Sequence, residues 1–208
     1  MEKVKLTKTE LKARNDALKR FQRFLPMLQL KKQQLQGEIA AIVAKAEAVA
    51  ARERELRAEL DRWIGLVATD AQLLRGLVKV GSVKTGRANI AGVEIPTFES
   101  VETEVGHVDR WATPPWIDDA VEAVKAVASL RSERAVFEEQ RRLVTEELQQ
   151  TSQRVNLFEK VKIPECKEAI RVIKIALGDE QTAAVTRGKI AKGRAPAADD
   201  GEGEEVAP

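Results

Sequence analysis

A seven-residue apolar repeat governs what this chain can become. Stepping alternately three and four residues from Leu11 gives Leu11, Arg14, Leu18, Phe21, Leu25, Leu28, Lys32, Leu35, Ile39, Ile42, Ala46, Val49, Glu53, Leu56, Leu60, Trp63 and Val67; all but Arg14, Lys32 and Glu53 are apolar. A repeat held over this length specifies a coiled-coil helix that buries one stripe against a partner helix. Unbroken, it would run about 85 Å at 1.5 Å per residue. Thr7 to Glu10 supplies a start signal, and Pro26 inside the run should bend the helix by removing one backbone hydrogen bond.

A second repeat runs through Trp116, Ala120, Ala123, Val127, Leu130, Arg134, Phe137, Arg141, Val144, Leu148, Thr151, Val155 and Phe158. Its phase slips by one residue near Pro164 and resumes as Ile163, Cys166, Ile170, Ile173 and Leu177. Thr113-Pro114-Pro115 provides a firm start and Gly178 a plausible stop. The charged seam residues Arg14, Lys32, Arg134 and Arg141 cost stability and would set register or partner choice.

Between the helices the period changes. Val78, Val80, Val83, Ile90, Val93, Ile95 and Phe98 sit among glycines, which specifies two or three short strands forming a hairpin. Residues 99–112 read as acidic and irregular, and the chain after Gly188 as low-complexity and disordered. The expected division is 1–75 and 116–178 as coiled-coil helices, 76–115 as hairpin and linker, and 179–208 as a basic-then-acidic tail. The fold class is therefore all-α dominated: a long antiparallel two-helix coiled coil, folded back so that both termini lie at one end and the β insert at the other. Dimerisation through either seam is the alternative.

Composition agrees with helices that bury only a stripe: 33% of residues are charged, 4% are aromatic and none is Tyr. Cys166 is the only cysteine, so no intramolecular disulfide forms. The N-terminus lacks the apolar run of a secretory signal, and no stretch reaches the length of a membrane span. These features predict a cytoplasmic chain without direct membrane insertion.

Catalytic patterns fail at specific residues. Gly81 and Gly86 have the spacing of a phosphate-binding loop, but Arg87-Ala88 stands where a lysine and a hydroxyl-bearing residue are needed. The glycines are read as turn residues. His107 is the only histidine and cannot build a nitrogen-rich zinc site or a nucleophile–base pair. Cys166, on the re-phased seam, reads as a buried thiol. No catalytic residue, metal site or cofactor is predicted. The first 32 residues are rich in Lys and Arg, but without stacking aromatics or a groove-reading motif no nucleic acid is expected as a partner.

Three stretches carry a family resemblance. The first is Thr151-Ser152-Gln153-Arg154-Val155-Asn156-Leu157-Phe158-Glu159-Lys160, followed by Ile163-Pro164 and Ile170-Arg171-Val172-Ile173-Lys174. The second is Ile90-Ala91-Gly92-Val93-Glu94-Ile95-Pro96-Thr97-Phe98, and the third Leu28-Gln29-Leu30-Lys31-Lys32-Gln33-Gln34-Leu35. In order and spacing they resemble the D subunits of the V/A-type ATPases, the rotor shaft of the central stalk, and Trp116-Ile117-Asp118 is similar to a bacterial branch.

The resemblance implies a non-catalytic subunit coupling ATP turnover to proton or sodium translocation. Its partners would be the catalytic A and B subunits, the central-stalk F subunit and the membrane-rotor socket subunit, making it peripheral on the membrane. It also singles out Arg154, Asn156, Glu159, Pro164, Gly92 and Pro96 as motif contacts. The seam itself is represented by Leu18, Phe21, Leu25, Leu28, Leu35, Ile39, Ile42, Phe137, Val144, Leu148, Val155 and Phe158. Beyond Gly178 the chain departs from the family pattern. A coiled-coil chaperone or scaffold is the alternative function.

Overall fold

The computed structural model describes residues 5–62, 65, 77–106 and 114–194. Its elements are helix α1 (Lys8–Asp61), strands β1 (Val78–Ile90) and β2 (Val93–Val105), helix α2 (Ile117–Leu157), a π-helical turn (Phe158–Lys162) and helix α3 (Ile163–Arg194). The chain forms two compact units, Met1–Leu25 with Leu157–Pro208, and Pro26–Asn156. Trp63, Val67, His107 and Thr113 lie outside the described residues.

Local chemistry fixes the helix starts. The Thr7 hydroxyl accepts the Glu10 backbone N–H at 3.2 Å, and the Thr7 carbonyl accepts that of Leu11 at 3.0 Å. Thr-x-x-Glu is a capping pattern that satisfies amides the first turn would leave unpaired. Helix α2 begins just past Pro114-Pro115, with the Trp116 carbonyl accepting the Ala120 N–H at 3.0 Å. Pro26 lies inside α1, which runs as one helix from Lys8 to Asp61.

In the unit Pro26–Asn156, α1 and α2 are antiparallel. Lys31 meets Glu147 and Glu53 meets Arg131, so advancing along α1 means retreating along α2. Leu35, Ile42 and Val144 form the buried centre with Ile95 of β2, and Ile39, Phe137 and Leu148 pack around them. Burying a side chain such as Leu35 or Val144 completely contributes about 1.5–3 kcal/mol each.

Strands β1 and β2 pair antiparallel through the two-residue turn Ala91-Gly92, Ile90 facing Val93. Both turn residues have positive φ, 51° and 87°, the geometry whose twist matches paired strands. The Asn89 side-chain oxygen accepts the Gly92 N–H at 2.9 Å and closes the turn.

The hairpin corrects two expectations. Residues 99–105, read as irregular, belong to β2; from Val101 onward Glu102 and Glu104 alternate with Val101, Thr103 and Val105, the two-residue period of a strand, and the register shifts by one residue at Glu99. The hairpin also does not sit beyond the helix ends. Ala88, Ile90, Ala91, Val93 and Ile95 pack beside Leu35 and Ile42, well back from Asp61 and Ile117, because a helix pair of this kind leaves apolar flanks that a third element can cover. Charge is segregated between the strands: β1 carries Lys79, Lys84 and Arg87, and β2 carries Glu94, Glu99, Glu102 and Glu104.

In the other unit, Leu18, Phe21 and Leu25 of α1 are half-buried, and Cys166, Ala169, Ile170 and Ile173 of α3 are buried. The rings of Phe21 and Phe158 meet at 5.0 Å between centroids and 50° between planes. The π-helical turn explains the slip in the repeat. A π turn accommodates one more residue than an α turn, so the apolar series moves from Phe158 to Ile163 by one extra residue and keeps its facing.

Gly178 does not end the last helix. Helix α3 continues to Arg194, and residues 178–193 are all exposed. One glycine inside a helix costs only about 1 kcal/mol, too little to stop it without a left-handed cap. The segment expected to be a tail from 179 is thus helical through Arg194, and residues 195–208 lie outside the described residues.

Candidate functional site

The helix pair of the unit Pro26–Asn156 carries the organised polar chemistry. At one level Lys31 Nζ lies 2.6 Å from Glu147 Oε1. At another, Glu53 is only 6% exposed although it is charged. Its Oε1 accepts Arg57 Nη2 from the next turn at 2.7 Å and Arg131 Nε from α2 at 2.9 Å. The hydrogen bond from Arg131 holds the Glu53 carboxyl below the ordinary carboxylate range. Burial opposes that shift, and the positive charges of Arg57, Arg131 and Arg134 add to it.

A third polar contact fastens the hairpin. Gln140 is 6% exposed, and its Nε2 donates to the Pro96 carbonyl at 2.5 Å. Pro96 lacks a backbone N–H, yet a two-stranded sheet leaves each strand one open edge, where that loss is tolerated. On the hairpin, Lys84 Nζ lies 2.8 Å from Glu102 Oε1, and the Ser82 hydroxyl donates to Glu102 Oε2 at 2.7 Å. These contacts raise the Lys84 pKa and lower that of Glu102.

The seam residues fall as follows. Leu35, Ile42, Val144 and Val155 are buried; Leu18, Phe21, Leu25, Leu28, Ile39, Phe137, Leu148 and Phe158 are half-buried. Arg14 and Lys32 are half-buried, and Arg14 pairs with Glu10 at 2.7 Å. Arg134 and Arg141, read as seam positions, are exposed. Val136 and Gln140 are buried instead, and Gln140 bonds to the hairpin, a third partner that a two-helix pattern does not anticipate.

Of the motif contacts, Arg154, Asn156, Glu159, Pro164 and Gly92 are exposed or nearly so, and Pro96 is half-buried. Arg154 makes no ion pair among the described residues, and Glu147 of the same helix pairs with Lys31. Sequence reasoning missed Arg131 and Gln140. Each lies one residue off the stepped seam, Arg131 beside Leu130 and Gln140 beside Arg141, a signal too faint to single either out. Gly81 and Gly86 lie within β1, so the phosphate-loop spacing belongs to a strand and the reading of both as turn residues does not hold. Cys166 is a buried free thiol.

Among the described residues, no group of three or more His, Cys, Asp or Glu is placed to hold a metal ion, and no helix is long and apolar enough to cross a membrane. The ion pairs between α1 and α2 resist sliding of one helix past the other, and the docked hairpin braces one side.

Residues 10–193 match the family model described as the D subunit of ATP synthase. The V-type ATP synthase D subunit of Borreliella burgdorferi is 45% identical over 192 residues, covering 92% of this chain and 95% of the relative. The proteins of the same name from Chlamydia muridarum and Chlamydia felis are 34% and 33% identical, each covering 91% of this chain and 94% and 92% of their own lengths.

Proposed function

This chain belongs to the family of ATP synthase D subunits, and from that premise we propose that it is the non-catalytic central-stalk rotor subunit of a V/A-type ATP synthase. In this role it couples ATP turnover in the A/B hexamer to translocation of protons or sodium. It contacts the A and B subunits, the central-stalk F subunit and the membrane-rotor socket subunit, and is cytoplasmic and peripheral on the membrane through the complex. The observation that carries the reading is the family match across residues 10–193.

The physical features support it. A rotor subunit must transmit force without its helices slipping past each other. In the unit Pro26–Asn156, Lys31–Glu147 and Glu53–Arg131 join the helices at two separate levels, and Leu35, Ile42 and Val144 interlock between them. Axial slip would break both ion pairs and unseat the apolar side chains together. A rotor also biases surrounding sites only by touching them differently at each angle. The hairpin on one flank of the helix pair provides such inequality, and exposed Arg154 offers a charged contact.

The test is recovery of the tagged chain from native membranes, with identification of bound subunits and assays of ATP hydrolysis and ion pumping. Co-purified A, B and F subunits with ATPase activity are expected. Arg154→Glu and removal of residues 1–20 should uncouple or disassemble the complex while the isolated chain stays helical. Recovery of the chain alone, or as a homo-oligomer that suppresses client aggregation, would overturn the rotor reading in favour of a chaperone or scaffold.

A further inference from the structure

We propose that the groove flanked by Arg54 and Arg57 of α1 and by Arg131 and Arg134 of α2 is a binding site for a multivalent phosphate-type oxyanion. The groove lies within the unit Pro26–Asn156, has a volume of about 620 Å³ and is lined by those four arginines with Ala50, Glu53, Ala135 and Glu138. The two helices supply it with matching sets. On α1, Ala50, Glu53, Arg54 and Arg57 follow the i, i+3, i+4, i+7 spacing of one helix face; on α2, Arg131, Arg134, Ala135 and Glu138 follow the same spacing. Each helix contributes two guanidinium groups, one carboxylate and one alanine. The alanines stop at Cβ, so no side chain fills the space that the arginines border.

Donor accounting shows why an anion suits this groove. A guanidinium carries five N–H donors in a planar fork. Arg57 and Arg131 each spend a donor on Glu53 Oε1. Arg54 uses Nε on the Ala50 carbonyl and Nη2 on Glu47, and Arg134 uses Nε on Glu138. Each arginine thus commits one or two of its five. Among the described residues, most donors along the groove meet no protein acceptor. Four arginines against Glu53 and Glu138 leave the lining at two positive charges, and Glu47, paired with Arg54 at the rim, lowers this to one.

A tetrahedral phosphate group matches that surplus better than a single carboxylate, because its oxygens point to several guanidinium forks at once. Glu53 holds Arg57 and Arg131 in place from below, so part of the cost of ordering these long side chains is already met before an anion arrives. The arginines are about half exposed or more, so affinity should fall steeply with ionic strength. The anion could be free or could be the phosphate tail of a nucleotide.

The test is calorimetric titration of the full-length chain at low ionic strength with sodium pyrophosphate, then with ATP and AMP, all without divalent metal. Saturable binding of pyrophosphate at one site per chain is expected. The double variant Arg54→Gln/Arg134→Gln should lose at least tenfold in affinity with unchanged circular dichroism, since the Glu53 contacts are retained. Arg52→Gln, an exposed arginine that does not line the groove, should bind as the parent does. Pyrophosphate binding tighter than ATP supports a free anion as the source, and ATP at least as tight as pyrophosphate with AMP weaker supports a nucleotide tail. Heats no different from chloride at matched ionic strength, equal affinity in the double variant, or equal loss in Arg52→Gln would overturn the site.

Discussion

Arg131 Nε stands 2.9 Å from Glu53 Oε1 across the interface of α1 and α2, and that same oxygen takes Arg57 Nη2 at 2.7 Å. One buried carboxylate therefore ties together two turns of its own helix and the facing helix. Removing it leaves two arginines that can turn to water, so the loss is of register rather than of a buried charge.

The pH dependence follows from the lowered Glu53 carboxyl. Its contribution to stability is complete above the unfolded carboxyl value of about 4.3 and is lost as pH falls through the lower folded value. Urea midpoints of the parent and of Glu53→Gln should differ by a constant amount from pH 7 to 5, and the gap should narrow as the pH falls further. A gap that does not change with pH down to the acid limit of folding would show that ionisation of Glu53 is irrelevant.

Leu35 is fully buried among Ile42, Ile95 and Val144. Leu35→Ala should cost about 2–5 kcal/mol by leaving a cavity. Leu28→Ala, at a half-buried position of the same repeat, should cost less than half as much. Denaturant unfolding separates the two; equal losses would mean that the repeat, rather than the hairpin-covered core, sets the local stability.

Gly92→Ala should destabilise by about 1–2 kcal/mol through the backbone alone. Its φ is +87°, and nothing lies within 4 Å of an added Cβ. Amide exchange should accelerate in β1 and β2 first. Unchanged stability would mean that the Ala91-Gly92 turn relaxes to another type.

The π-helical turn makes a distinctive prediction. Deleting Lys160 from Phe158–Lys162 should convert the turn to ordinary helix while Cys166 keeps its facing, so the thiol stays protected from aqueous disulfide reagents. Deleting Glu165 inside α3 should instead rotate Cys166 by about 100° and expose it. Equal thiol reactivity in the two deletions would sink the explanation of the phase slip.

The helices were legible in sequence because a stripe repeated every seven residues leaves few alternatives. Between Leu11 and Leu60 every stepped position of α1 is buried or half-buried. The slip near Pro164 was visible too, although its cause, an extra residue held in one turn, needed the backbone. What could not be read was the third partner. Stepping three and four residues assumes two helices meeting, and it placed Arg134 and Arg141 inside; the hairpin instead covers the flank at Gln140. Glycine misled at Gly178 because its penalty is smaller than helix propagation can absorb. The arginine groove escaped notice for a different reason: its two halves lie far apart in sequence, and only antiparallel pairing brings them together.

The hairpin folded back onto Leu35 and Val144 also bears on how the chain reaches this arrangement. Lys31 and Glu147 are separated by 116 residues, a long loop to close in one step. A hairpin with a two-residue turn assembles locally in microseconds. Once formed, it presents Ile95 as a landing point roughly midway along that interval, so each helix can dock on the hairpin over about half the distance. Each of these closures costs about 0.6 kcal/mol less than closing the whole interval in one step. The benefit is kinetic, because shorter sequence separations between first contacts speed folding. Beyond bracing one flank, the insert thus shortens the stretch of chain over which each helix must find its first contact.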